Sequence, residues 1–261
     1  MSRPALSVLV PTRNEEANLP ACLDSVAWAD EIVVVDSEST DATRDLAAAR
    51  GARVLVRPFD NYAAQKNWAL ERLSHPWVLC LDADERVDEA LARAIAHLPA
   101  EPPCDGYRLA RVNHFLGRRI EHCGWQGESV LRLFRREAGR FSAGRVHEKV
   151  EGPARVGQLP GALRHYPYRS WADCQEKLWR YARASARQAY ERGRRAGPQA
   201  MLFRPPERFL RMYLAQGGCL DGAEGLALCG LAAAQVFVKY ALLWDASRRG
   251  PGAFEEGGPS A

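Results

Sequence analysis

The stretch WVLCLDADE, Trp77 to Glu85, runs five apolar residues straight into carboxylates at Asp82 and Asp84. Two acids one residue apart at the end of a buried strand repel each other, and burial raises the cost of keeping both charged. A divalent cation removes that penalty. Hard oxygen ligands suit Mg²⁺ or Mn²⁺, ions that normally share their coordination shell with the phosphates of a substrate. The plain alternative is a polar loop whose acids face water or cap the helix that starts near Asp88. Two further stretches are rich in hydrogen-bonding groups: PTRNEE, with Thr12, Asn14 and Glu15, and DSESTD, with Asp36, Ser39 and Asp41. Such groups suit the base and ribose of a nucleoside. Taken singly, Asp36 reads also as a capping or turn residue and Asp41 as a helix start. No GxGxxG follows the first apolar run and no GxxxxGK[ST] occurs, which argues against dinucleotide and P-loop sites.

These residues need a scaffold that brings them together. LSVLV (Leu6 to Val10), EIVVVD (Glu31 to Asp36), RVLV (Arg53 to Val56) and WVLCL (Trp77 to Leu81) are short apolar runs, as strands buried on both faces should be. Between them, Asn18 to Val26, STDATRDLAAARG closing on Gly51, and Tyr62 to Leu73 show helical patterns. This alternation predicts an α/β fold built on a mostly parallel, doubly wound sheet. Ligands of such sheets bind at the carboxyl ends of the strands, which is where PTRNEE, DSESTD and DADE fall.

The pattern changes after about Pro99. Asp105 to Arg111 and Ser129 to Arg136 read as strands of mixed polarity, and Trp171 to Arg195 as a long helix. Arg204 to Leu214 reads as another, with the breaker Pro205-Pro206 near its start. Gly225 to Val238 is an apolar run of about 14 residues, below the roughly 20 that a spanning helix needs, and Gln235 and Lys239 interrupt its continuation.

The 261 residues are 47% hydrophobic and 26% charged with a net charge of +4, a balance that suits a soluble globular protein with a sizeable core. Seven cysteines, with no CxxC pair, read as reduced, core-filling residues. The apolar run after Arg3 is stopped by Pro11, Arg13 and Asn14, so no secretory segment is read there and the cytoplasm is the expected compartment. Charge is unevenly placed: from Lys177 to Arg211 ten Lys or Arg stand against two acids, Glu191 and Glu207. Arg180, Arg183 and Arg187 share one helical face, with Trp179, Tyr181 and Tyr190 nearby. No nucleic-acid module accompanies them, so the expected partner is an anionic membrane surface, at about 1 kcal/mol per basic residue near it. The amphipathic Arg204 to Leu214 segment beside the apolar run favours peripheral attachment; core packing is the alternative for that run.

PTRNEEANL, VVDSESTDAT, QKNWAL and LDADE, in this order and at this spacing, resemble glycosyltransferase family 2, inverting enzymes of the A-type nucleotide-sugar fold. The resemblance covers at least Leu6 to Arg136. VLRLFRREAGRFSAGRVHE and GGCLDGAEGL…FVKYALLW resemble, more loosely, its lipopolysaccharide-core branch of β-1,4-glucosyltransferases acting on inner-core heptose. By that resemblance Pro11, Thr12, Asn14, Glu15 and Ser39 line a nucleotide pocket and Asp36 meets the base, uracil. Lys66, otherwise a solvated helix lysine, stands near the nucleotide. Asp84 is the direct metal ligand, and Asp82 lies nearer the ribose or a water of the metal shell.

Inversion needs a base facing the acceptor hydroxyl. Glu148 in RVHEKV is the candidate, with His147 as a third metal ligand or acceptor contact; the alternative is an exposed strand from Val146 to Val150. Glu128 and Glu121 are reserves for the base. Trp125 reads either as a platform under a sugar ring or as a core tryptophan. Arg132 reads as a phosphate or acceptor contact or as part of a solvated strand edge.

The resemblance thus implies a metal-dependent inverting transferase, with UDP-glucose as donor and a lipid-linked oligosaccharide as acceptor, peripheral on the inner face of the inner membrane. The expected division is a nucleotide-sugar-binding and catalytic domain over 1–165, a helical extension over 166–249 for the acceptor or membrane surface, and a disordered tail over 250–261. Two alternatives stand beside this reading: transfer to a polyprenyl phosphate, and a phosphatase or mutase using the acid pair. The second fits less well, because the pair follows the fourth strand and Arg86 stands two residues beyond Asp84. A binding module without activity would leave the three loops without a role.

Overall fold

A computed structural model of the chain describes residues 3–142 and 149–254. The chain divides into two compact units, one of Met1–Val112 and Gly127–His165, the other of Asn113–Gln126 and Tyr166–Ala261.

In the first unit the four apolar runs form β1 (Leu6–Thr12), β2 (Glu31–Asp36), β3 (Arg53–Val56) and β4 (Trp77–Cys80). They are joined through α1 (Leu19–Asp24), α2 (Thr43–Ala49) and α3 (Tyr62–Leu70). Then come β5 (Glu85–Val87), α4 (Glu89–Ala96), β6 (Gly106–Phe115), β7 (Arg118–Arg119), β8 (Ser129–Arg135), β9 (Arg140–Phe141), β10 (Val150–Glu151) and β11 (Val156–Tyr168). The strand order is β3-β2-β1-β4-β8-β6-β11-β5, with β7 paired to β6. The first four strands are parallel, as the sequence predicts. The sheet is mixed, however: β8 runs antiparallel to both β4 and β6, and β5 antiparallel to β11.

Continuous apolar runs are needed because both faces of the parallel strands are covered. Leu6, Val8 and Val10 of β1 join a core with Leu19 and Leu23 of α1 and Leu91 and Ile95 of α4. Leu9 points the other way, into a core with Ala69 and Leu70 of α3. On β4, Trp77 and Leu79 take the first side and Val78 and Cys80 the second. The helix after the acid pair is capped by Asp88, whose carboxylate accepts the Leu91 N–H at 2.8 Å.

The amino ends of the parallel strands are held by Glu31. Its carboxylate accepts hydrogen bonds from the Ser7 hydroxyl, from Ser74 N and Oγ at 2.8 Å each, and from Arg53 at 2.6 Å. Burial pushes the Glu31 carboxyl up, but the bonds from Ser7, Ser74 and Arg53 outweigh it and bring it from 4.5 down to about 2. A depressed folded value means stability that is present above pH 4.5 and lost as pH falls towards 2. Glu31→Gln is therefore expected to lower stability by about 3 kcal/mol at pH 7 and by less than about 1 kcal/mol near pH 2.5. Urea unfolding at the two pH values measures this; equal losses at both would refute it.

The second unit is mainly helical and also holds β7 and the ends of β6 and β11. Ser170 caps α5 (Trp171–Glu191) by accepting the Asp173 N–H at 3.2 Å. After it come α6 (Pro198–Leu210), a π turn over Arg211–Ala215, a 3₁₀ turn over Gly218–Asp221 and α7 (Gly222–Arg249). Three expectations are corrected here. Pro205 and Pro206 do not break a helix but lie inside α6. They remove the donors to two carbonyls of the preceding turn; no residue of α6 is buried, so water can satisfy those carbonyls.

The apolar run is not a 14-residue piece. It continues through Gln235 and Lys239 into a helix of 28 residues, about 42 Å long. By length and composition it can cross a membrane, and 17% of its most apolar window is buried. Third, of the expected disordered tail over 250–261, Pro251–Phe254 form a 3₁₀ turn, where Ala253 and Phe254 pack on Ala186 and Ala189 of α5 and Leu243 and Ala246 of α7, and 255–261 lie outside the described residues.

The late motif GGCLDGAEGL is structural. Asp221 accepts the N–H groups of Glu121 and His122 at 3.1 and 2.9 Å, and a Cβ on Gly225 would sit 2.0 Å from the Gly218 carbonyl oxygen. The seven cysteines are free thiols and five are buried.

Candidate active site

Because β2, β1 and β4 are neighbours, the loops that follow them leave one edge of the sheet side by side. Thr12 stands opposite Asp36 in register, and Leu9 opposite Cys80, two residues before Asp82. The first two loops are zipped together. Asn14 N donates to Ser39 Oγ at 2.8 Å, Thr40 N to Asn14 Oδ1 at 2.8 Å, and Glu15 N to Thr43 Oγ1 at 2.8 Å. Asn14 adopts φ +55°, a left-handed conformation that asparagine tolerates better than most residues. The Glu15 carboxylate accepts from Asn18 at 2.8 Å. Pro11, the penultimate residue of β1, is half-buried.

Asp36 is turned inward. It is wholly buried and accepts from Ser39 N at 2.8 Å, from the Ser39 hydroxyl and from Thr12 Oγ1 at 3.2 Å. It forms the floor beneath the two loops. Arg13, Asn14, Glu16, Glu38 and Thr40 are exposed around it.

The acid pair rests on a buried ion network. Asp82 pairs with the Arg132 guanidinium and, at 3.3 Å, with the Lys66 ammonium. Burial alone would push the Asp82 carboxyl up, but Arg132 and Lys66 outweigh it and hold it well below the ordinary carboxylate range. Lys66 is 1% exposed, which overturns the reading of a solvated helix lysine. Arg132 is buried as well, with its guanidinium on Asp82 and on Glu85 at 3.2 Å, where it supports the acidic loop.

Glu85, unremarked in the sequence reading, is the centre of this arrangement. It is 0% exposed, accepts the Asp82 N–H at 3.0 Å, and meets Arg111 at 3.2 Å as well as Arg132. Arg111 in turn holds Glu128 through two bonds, at 2.9 and 2.5 Å. Glu128 is thus tied into the same chain of charges.

The motif QKNWAL explains how α3 serves the site. Successive residues on a helix point about 100° apart. Gln65 donates to Ser37 Oγ at 2.6 Å in the second loop, Lys66 meets Asp82 in the third, and Asn67 forms a two-way clamp with the Phe141 backbone at 2.9 Å. Only Lys66 of these three was singled out from sequence, although the whole triplet carried the signal.

Asp84 differs from Asp82. Its carboxylate lies 3.5 Å from His165 Nε2 on β11, and no Lys or Arg is paired with it among the described residues. Among those residues no group of three or more His, Cys, Asp or Glu is placed to hold a metal ion. The donor chemistry still fits Mg²⁺ or Mn²⁺ at Asp84, because such ions take few protein ligands and complete their shell with phosphate oxygens and water. Asp82 is already balanced by two cations, Lys66 and Arg132.

His147 and Glu148 lie outside the described residues. Trp125 belongs to the second unit, where it is half-buried against a cluster containing Phe115, Cys123 and Met212 and stacks on Tyr168 at 6.4 Å. This matches the core-tryptophan alternative more closely than an open sugar platform.

Comparison with known proteins gives the following. Residues 7–151 match the family model described as Glycosyl transferase family 2. The chain is 34% identical over 257 residues to the lipopolysaccharide core biosynthesis glycosyltransferase LpsC of Rhizobium meliloti, covering 91% of this chain and 93% of that one. It is 37% identical over 108 residues to the uncharacterized glycosyltransferase RT0209 of Rickettsia typhi, covering 41% of this chain and 37% of that one. Among solved structures, S. aureus TarS 1-349 in complex with UDP aligns at 17% identity and a TM-score of 0.48, covering 94% of this chain and 92% of that one. The M. tuberculosis glucosyl-3-phosphoglycerate synthase with Mn²⁺, UDP and phosphoglyceric acid aligns at 20% identity and a TM-score of 0.43, covering 62% of this chain and 70% of that one.

Proposed function

The chain belongs to glycosyl transferase family 2, and from that premise we propose that it is an inverting, metal-dependent hexosyltransferase. It moves glucose from UDP-glucose onto a lipid-linked oligosaccharide, such as the inner core of lipopolysaccharide. The observation that carries this reading is the shared rim: three loops from β1, β2 and β4 meet beside an acid pair whose first member is locked by Lys66 and Arg132. The acceptor class is supported by the similarity to LpsC along nearly the whole chain. The phosphatase or mutase alternative falls away with family membership.

The proposed roles rest on the family resemblance and, for the described residues, are supported by their placement. Thr12, Asn14, Glu15 and Ser39 shape the nucleoside pocket above the buried Asp36. Lys66 and Arg132 keep Asp82 ionised, and Glu85 fixes the backbone from which Asp84 projects. Asp84 would hold a divalent cation, which when bound would supply positive charge where the diphosphate leaving group becomes negative. Glu148 takes the proton of the acceptor hydroxyl, on the face opposite the leaving group. His147 stands next to it as a metal or acceptor contact.

The functional test is a thermal-shift screen of nucleotide sugars with Mn²⁺, followed by transfer of labelled glucose to extracted lipopolysaccharide acceptors. Stabilisation by UDP-glucose above other donors is expected; a preference for a non-uridine donor would refute the uracil assignment. Glu148→Gln is expected to leave UDP binding unchanged and slow turnover about a hundredfold. Turnover near the parent rate would move the base to Glu128.

The enzyme works at the cytoplasmic face of a membrane. The basic residues of α5 and the exposed apolar residues of α6 and its following turn, Leu202, Phe203, Leu210 and Leu214, support peripheral attachment. One further reading is favoured by the length of α7: transfer to a polyprenyl phosphate by a chain anchored through that helix. Organic extraction after incubation with labelled donor separates the two, because glucosyl polyprenyl phosphate enters the organic phase and core oligosaccharide does not.

A further inference from the structure

In the second unit a cavity of about 640 Å³ opens among the end of α5, the start of α6 and the later part of α7. Four of its lining residues are cationic, namely Arg194, Arg195, Arg204 and Lys239, against a single acid, Glu207. That acid is already paired with Arg204 at 2.9 Å. Arg195 is pinned, its guanidinium stacked 3.8 Å from the Tyr190 ring centroid and donating to the carbonyls of Tyr190 and Arg194 at 3.0 and 2.9 Å. Arg194 and Lys239 have no carboxylate partner among the described residues. They also repel each other: burial and the Arg194 charge both lower the Lys239 pKa from its ordinary value. The N-terminus of α6, with no side-chain cap on Gly197, borders the same cavity and adds partial positive charge.

An uncompensated cluster of this kind is stable when an anion joins it. Guanidinium groups favour phosphate, which accepts paired hydrogen bonds in the geometry they offer. The rim adds a second preference. Phe203 lines the cavity and, like Leu202 beside it, is 65% exposed on α6. One face of the opening thus offers phosphate contacts and the other an apolar surface.

We propose that this cavity binds the phosphate of a lipid headgroup, with Arg194 and Lys239 as the principal contacts and Phe203 and Leu202 against the first carbons of the acyl chain. The proposal takes from the peripheral-membrane reading only the source of the phosphate. It adds a discrete site where that reading needs only a diffuse basic surface.

Calorimetry with dihexanoyl phosphatidic acid, dihexanoyl phosphatidylcholine and inorganic phosphate tests the site. Flotation on phosphatidylcholine vesicles with and without phosphatidic acid tests the surface. The parent chain is expected to bind dihexanoyl phosphatidic acid saturably, one per chain, and inorganic phosphate more weakly. Arg194→Gln combined with Lys239→Gln is expected to weaken that binding about thirtyfold while the circular dichroism spectrum stays unchanged. Combined Arg180→Gln, Arg183→Gln and Arg187→Gln on α5 is expected to reduce flotation but leave calorimetric binding within about threefold.

The proposal is overturned if the Arg194/Lys239 variant binds as tightly as the parent, if the α5 variant loses as much, or if the two lipids bind alike. Inorganic phosphate binding as tightly as dihexanoyl phosphatidic acid would overturn the lipid assignment. Calorimetric binding without flotation would retain the pocket and refute membrane attachment; flotation lost only with the α5 variant would do the reverse.

Discussion

Asp84→Asn is expected to give a folded protein that transfers glucose at least about a thousandfold more slowly than the parent chain. The size follows from the charge that must be stabilised. Loss of a diphosphate leaving group would place negative charge beside the acid pair, where Lys66 and Arg132 are already engaged with Asp82. In the proposed role Asp84 would hold a divalent cation there, and about 4 kcal/mol of transition-state stabilisation would depend on it. The effect on folding should be small, because the described contact of Asp84 is one imidazole at 3.5 Å. Labelled transfer in Mn²⁺, read beside a thermal melt, checks both halves. Turnover within tenfold of the parent would remove the metal role from Asp84. A collapse of the melting temperature would instead mean that Asp84 supports the fold.

Glu85→Ala is expected to act the other way, on stability first. The side chain is wholly buried and joins three groups: the Asp82 N–H, Arg111 and Arg132. Burial disfavours the charge of Arg132, and Asp82 and Glu85 together push its pKa well above the ordinary value. Removing one of these carboxylates leaves a buried guanidinium partly uncompensated, for which about 3 to 5 kcal/mol is the usual loss. For a chain of this size that corresponds to a melting temperature lower by roughly 10 °C. Glu85→Gln keeps an acceptor for the Asp82 N–H and is expected to recover part of the loss. Urea unfolding of both variants measures the difference. A loss below 1 kcal/mol for the alanine variant would show that Arg111, held by Glu128, and Arg132, held by Asp82, do not need Glu85.

These two residues are neighbours in LDADE, yet the sequence distinguishes them poorly. The acid pair is visible because a buried apolar run ends on charges. Nothing local separates Asp84, on the open side of the turn, from Glu85, which returns to the interior. Alternation along the extended segment decides this, and it becomes readable only once β5 is known to pair with β11. Lys66 shows the same limit. A lysine in a helix is ordinarily solvated, and its burial follows from the packing of α3 beside the end of β4. Arg132 is 50 residues from Asp82, so their pairing depends on β8 lying next to β4, a neighbour relation that no local pattern encodes.

The sequence by itself determined the parallel half of the sheet, since strands packed on both faces read as short, mostly apolar runs with helical patterns between them. It also determined where chemistry gathers, because loops at the carboxyl ends of adjacent parallel strands leave the same edge. The course of the helices in the second unit was less legible. Two prolines predicted a break that solvent tolerates, and two polar residues appeared to end a run that continues as one helix. Tertiary structure alone decided which charges compensate one another. Ion pairs join residues distant in the chain, and their burial, which sets their strength, is a property of the packed whole.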